Sequence, residues 1–186
     1  MTLARFPRRT LRGGAELYRI HHSDRGRWWF FSNGTGRFDP VGTGVGACYL
    51  AEQPLGAWVE VFRREMQLSE LALLERSLSS IRLGRDKRLA DVTSRRALQF
   101  GVTASLGAGE DYGDSQEFAS QAADSGFAGI RYFLRHDPAQ RLYGIALFGD
   151  PGGAAPKGAR ARAATIPDEV SKEASLAFGY RIVPAP

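Results

Sequence analysis

The sequence predicts an α+β fold, a single compact domain of mixed short strands and helices, and three observations carry that expectation. Strand-like and helix-like segments follow one another in irregular order, without the strict alternation of a doubly wound parallel sheet. With 186 residues, 43% of them apolar, the chain is about one domain long and can bury a real core. It shows no internal repeat and no interior linker that would divide it into separate domains.

Residues 1–15 carry arginines 5, 8, 9 and 12 and read as a basic, flexible arm, with the domain proper over 16–186. Residues 17–20 (LYRI) read as a short strand, and 21–46, rich in Gly and aromatics and lacking a helical period, as a long loop of the kind that usually carries function. Residues 46–51 (GACYLA) suit a buried strand. Pro54 then opens a helix expected over 54–66, where proline fits the first turn. A second helix is expected over 69–79 with Ser69 as N-cap, strands near 80–83 and 88–92, and a short helix over 94–100. Ser115 opens the clearest helix, stopped at Gly126. Two apolar strands follow over 128–134 and 141–148, then a loop over 149–165, a helix over 167–177 and a closing strand, YRIV.

Eight arginines against Glu16 and Asp24 give residues 1–37 a net charge of +6, so the remaining chain sums to −1. A basic N-terminal segment of this kind steers an anionic ligand more readily than it makes a nucleic-acid surface, and direct nucleic-acid binding is not expected. No apolar run has the length of a membrane span, and no apolar stretch stands behind the basic N-terminus as in a secretory signal. A single cysteine, Cys48, excludes an internal disulfide and any zinc site with several thiolates, and the three histidines lack a metal-binding spacing. The expectation is a cytoplasmic protein without a metal or cofactor.

Four polar residues stand where burial is expected: Arg19 in LYRI, Arg37 in GTGRFDP, Tyr49 in GACYLA and Glu60 in AWVEVF. A carboxylate among apolar neighbours is expensive to bury without partners. For Glu60 the plain structural role is an ion pair with Arg19 or Arg37, or a helix face shared with Arg63 and Arg64; for Arg37 it is bridging carbonyls; for Tyr49 it is a core tyrosine with a satisfied hydroxyl. The aromatic run 28–31 reads as a plug that holds the long loop down, or as a surface for stacking on a ring. Glycines 42, 44 and 46 form no dinucleotide or P-loop fingerprint, and no G-x-S-x-G elbow is present.

In their order, the blocks LYRI (17–20), GRFDP (36–40), YLAE (49–52), AWVEV (57–61), YGDSQ (112–116) and GFAGIRY (126–132), with the strand ending in Leu147-Phe148, resemble the RES-domain family over about residues 16–148. That family supplies the toxin half of RES–Xre toxin–antitoxin pairs. The resemblance implies a fold related to ADP-ribosyltransferases and an attack on NAD at its nicotinamide–ribose bond, with inorganic phosphate as a co-substrate or water in its place. It implies an Xre-type helix-turn-helix antitoxin as partner, in a toxin–antitoxin hetero-oligomer or beside a homodimer. Carried over by motif, Arg19, Arg37, Tyr49 and Glu60 become the active-site candidates. The family serine is matched by Ser115, although a gap-free reading puts Gly113 there. The other common serine position, after the late Tyr-Pro step, is Leu134, and the aromatic after the first arginine is Ile20.

These residue types suit that reaction. Arginine's planar fork takes phosphate with two hydrogen bonds, so Arg19 and Arg37 suit a pyrophosphate or ribose clamp. Breaking the bond develops oxocarbenium character on the sugar. Nicotinamide leaves a pyridinium as a neutral molecule and needs no proton, so one carboxylate, Glu60, is sufficient. Tyr49 is expected at the nicotinamide end, and Ser115 at a ribose or the nucleophile. Two other readings use the same chain differently: transfer of ADP-ribose to a macromolecule, and a non-enzymatic nucleic-acid or partner-binding module built on the basic arm.

Overall fold

The computed structural model describes residues 3–63 and 65–185. Among them, ten strands and five α-helices build one α+β unit around an eight-stranded sheet. Its strands are β1 (Arg8–Leu11), β2 (Glu16–His22), β3 (Gly46–Ala51), β5 (Arg76–Arg82), β6 (Lys87–Asp91), β7 (Gly129–Phe133), β8 (Tyr143–Gly149) and β9 (Arg160–Thr165). They lie in the order β1-β6-β7-β8-β3-β2-β5-β9, and within it only β6 and β7 run parallel. A separate parallel pair joins β4 (Gln67–Ser69) to β10 (Arg181–Val183). The helices are α1 (Pro54–Phe62), α2 (Glu70–Leu74), α3 (Ser105–Ala108), α4 (Gly113–Asp124) and α5 (Asp168–Phe178), with a 3-10 turn at Arg95–Phe100.

Strand alternation divides the core between the two sheet faces. On β8, Ala146 and Phe148 join the larger cluster with Phe38, Trp58, Phe62 and Phe118, whereas Ile145 and Leu147 join Leu17, Cys48, Leu50 and Ile81 on the other side. Trp28 and Phe30 stack in parallel and cover that second cluster, and Phe30 bridges to Gly152. The aromatic run therefore does pin the long loop down, although Trp29 is left half exposed.

Several expected elements are corrected. The arm is not free: β1 pairs antiparallel with β6, and Leu3 and Phe6 are buried, while Arg8 and Arg9 remain solvated. Residues 1 and 2 lie outside the described residues. The helix expected over 54–66 stops at Phe62, because Arg63 turns into positive φ (48°) and donates its backbone N–H to the Val59 carbonyl. The helix expected over 69–79 stops at Leu74, although Ser69 does cap it by accepting from Ala72 N. Residues 76–82 become β5 instead, paired along all of β2, so strand pairing overrides the local helical preference. The loop expected over 149–165 ends early, in β9 at the sheet edge. No described helix is long and apolar enough to cross a membrane.

Candidate active site

β2 and β3 are neighbours in the sheet but share one registered pair, Tyr18↔Ala51. Beyond it β2 follows β5 and β3 follows β8. The strands diverge, and a cleft of about 780 Å³ occupies the wedge between them. Tyr18, Arg19 and Ile20 reach it from β2, Tyr49 and Leu50 from β3, and Glu60 and Val61 from α1. Arg37 enters from the long loop, and Tyr132 and Arg135 from the end of β7 and the turn after it.

Arg19, Arg37, Tyr49 and Glu60 are thus brought to one cleft. Ser115 is not: it sits in the first turn of α4, 1% exposed, outside the cleft lining. Its expected contact with a ribose or nucleophile is corrected by that placement. Leu134 is equally buried, lying close enough that a side chain on Gly56 of α1 would press on it.

Glu60 owes its position to α1, whose other side packs Trp58, Val59 and Phe62 into the core. Among the described residues no arginine nitrogen comes within 4.0 Å of its carboxylate, so the expected ion pair is absent; Arg64, the other proposed neighbour, lies outside the described residues. Its carboxylate accepts a hydrogen bond from the buried Tyr132 hydroxyl, which donates to Oε2 over 3.3 Å. Burial pushes the Glu60 carboxyl above the usual carboxylate range, opposed by Arg63, by that hydrogen bond, and by Arg37 and Arg135 at longer range. The carboxylate is held by that donor and by the positive field of the surrounding arginines.

Arg37 is buried and already engaged. Nη1 donates to the Leu106 carbonyl (3.4 Å), Nη2 to that of Gly109 (2.5 Å), and the guanidinium lies 4.4 Å over the Tyr112 ring. It does bridge carbonyls, as its structural role requires, and still faces the cleft. Burial lowers its pKa. Arg19 donates Nη1 to Cys48 Sγ (2.8 Å) and to the Trp29 carbonyl (3.3 Å), reaching across the wedge to β3. Tyr49 has a satisfied hydroxyl, which accepts from Phe38 N (2.9 Å) and donates to Asp39 Oδ1 (2.8 Å). Burial and the Asp39 charge push that phenol far upward, so it stays protonated. Asp39 in turn accepts from Gly36 N, and a side chain at Gly36 would fall on both groups. Tyr49 therefore sets the loop that presents Arg37.

Sequence reasoning missed Tyr132, Arg135, Tyr112 and Asp39. A signal existed for Tyr132, whose hydroxyl within an apolar strand needs a buried partner. None existed for Arg135, which local sequence does not tell from any turn arginine.

Among solved structures, a chain of the crystal structure of the M. tuberculosis MbcT–MbcA toxin–antitoxin complex matches with a TM-score of 0.65 and 18% identity, over 88% of this chain and 90% of its own. No curated protein matches. The RES-domain family model covers residues 16–167, which takes in the cleft and both strands that form it, and the chain belongs to the RES-domain family.

Proposed function

We propose that the protein is an enzyme that cleaves the nicotinamide–ribose bond of NAD, acting as a toxin restrained by an Xre-type antitoxin. The observation that carries the chemistry is the Glu60 carboxylate, hydrogen-bonded by the buried Tyr132 and without an ion-pair partner among the described residues, in a cleft rich in arginine. Breaking a pyridinium glycoside needs stabilisation of a cationic sugar and no acid for the leaving group. Glu60 supplies that stabilisation: burial raises its pKa, and the Tyr132 hydroxyl with the surrounding arginines favours its ionised form. Arg19 and Arg37 bind the pyrophosphate, and Tyr49 holds the loop carrying Arg37. The antitoxin partner is supported by family membership and by the toxin–antitoxin complex in which the similar fold was solved.

The test is incubation of the purified protein with NAD, with and without inorganic phosphate, followed by chromatography of the products. Free nicotinamide is expected in at least one condition, and Glu60→Gln should lower its release by about 100-fold or more, the size of effect seen when one transition-state contact is removed. Intact NAD with folded protein in both conditions would overturn the reading. ADP-ribose attached to an added macromolecule would replace it with transfer chemistry.

A further inference from the structure

Among the described residues five arginines line the cleft, and four have work to do there. Arg19 donates to Cys48 and Trp29, and Arg37 to Leu106 and Gly109. Arg63 donates Nε to the Glu60 carbonyl (3.1 Å), and Arg76 lies 5.4 Å over the Phe62 ring. Arg135 has neither a hydrogen bond nor an ion pair nor a ring contact among the described residues, although it is half-buried. It is not a side chain on a loose loop. The buried Asp137, two residues on, accepts from the backbone N–H groups of Ala139 (3.1 Å), Arg141 (2.6 Å) and Leu142 (2.8 Å), which clamps the turn that carries it. Arg135 and Arg37 are near enough to repel one another, and both act on Glu60. Two cations lining one sheltered cleft and acting on one another are a cost that a bound anion removes.

The charge of the cleft points the same way. Its five arginines face two carboxylates, Glu60 and Glu65, a surplus of three positive charges. Bound NAD, with two phosphate charges and one pyridinium, offsets one of the three. The remainder matches one phosphate dianion.

We propose that Arg135 seats inorganic phosphate beside Glu60 and thereby decides whether phosphate or water attacks the sugar, an inference that rests on the NAD-cleaving reading above. The step balances without a further reactant. An oxygen lone pair of HPO₄²⁻ forms the bond to the ribose anomeric carbon, the C–N bond breaks, and its electron pair returns to the pyridinium ring as neutral nicotinamide. The product is ADP-ribose-1″-phosphate, and no base need remove a proton. Water in the same place must lose a proton after attack, so hydrolysis needs a base where phosphorolysis needs a cation. Arg135 also screens the incoming anion from the Glu60 charge.

Three variants of the full chain are compared: Arg135→Met, Arg135→Lys, and Arg141→Met, which removes an equal charge from an exposed arginine outside the cleft. Orthophosphate binding is read by ³¹P NMR titration without NAD. The ratio of ADP-ribose-1″-phosphate to ADP-ribose is read by chromatography, and folding by thermal melts. Arg135→Met is expected to weaken phosphate binding at least tenfold and to lower the product ratio by a similar factor. Arg135→Lys should recover some of each, and Arg141→Met should behave as wild type. Equal phosphate affinity in wild type and Arg135→Met overturns the proposal. So does an equal loss of both products with a raised KM for NAD, which would put Arg135 in the dinucleotide clamp. Phosphate binding that depends on Arg135 in a protein that releases no nicotinamide keeps the anion seat and overturns the reaction assigned to the cleft.

Discussion

Glu60 and Tyr132 form the unit on which the chemistry turns. A hydrogen bond to an ionised carboxylate favours the charged form, so the Tyr132 hydroxyl lowers a pKa that burial raises. Tyr132→Phe should move the acid limb of the pH–rate profile to higher pH, with kcat falling more than KM rises; an unmoved limb would reduce Tyr132 to core packing. The same carboxyl has a stability consequence with a definite sign. A carboxyl whose pKa is higher folded than unfolded makes the fold less stable as pH rises between those two values. Glu60→Gln should therefore melt above wild type at pH 8, with the gap closing toward pH 4, as thermal melts across pH would show. At Tyr49 the sign is opposite. Tyr49→Phe leaves Phe38 N and the buried Asp39 each short of a partner and should cost about 1–3 kcal/mol in denaturant unfolding.

At the scale of elements, Arg37 ties the long loop to the segment 106–109 through two carbonyls. Lysine keeps the charge but cannot hold both acceptors, so Arg37→Lys should lower kcat/KM for NAD by about tenfold or more and speed amide exchange around α3. This level also divides what the sequence discloses from what it hides. Pro54 and Ser69 announce their helices, and LYRI and GACYLA their strands, because the cues are local. The segment 76–82 carries helix formers and serines, and its registers with β2 on one side and β9 on the other make it a strand. β9 likewise opens with alternating Arg and Ala, and β5 supplies the partner that orders it. Of the site, Glu60 and Arg37 were legible as charges among apolar neighbours. Arg135 was not, since its significance lies in what fails to touch it. Ser115 was misplaced because α4 starts at Gly113, two residues before the start expected from the sequence, so that Ser115 lies within the first turn with its side chain in the core.

For the molecule as a whole, one ionic network couples the sheet to α1. Arg131 of β7 takes Glu52, two residues before Pro54, with Nε and Nη2 at 2.6 and 3.2 Å, reaches Asp91 at the end of β6 over 3.7 Å, and lies 3.6 Å over the Tyr143 ring. Removing one partner of so buried an arginine leaves its charge poorly compensated. Glu52→Gln should cost about 3 kcal/mol, the low end for a broken buried pair since Asp91 remains. Urea unfolding would check it, and a change below about 1 kcal/mol would mean that the network adds little.

The positions of β1 and β9 have a consequence for how copies of the chain meet. They are the two open edges of the eight-stranded sheet, rows of unpaired backbone groups that would otherwise template strand addition. Arg8 and Arg9 stand exposed on one edge, Arg160 and Arg162 on the other. Continuing the sheet into a second copy, by either edge, would set arginine against arginine. The exposed arginines of the two edges thus also work as a guard against fibre-like stacking, strongest at low ionic strength and weakened as salt screens it.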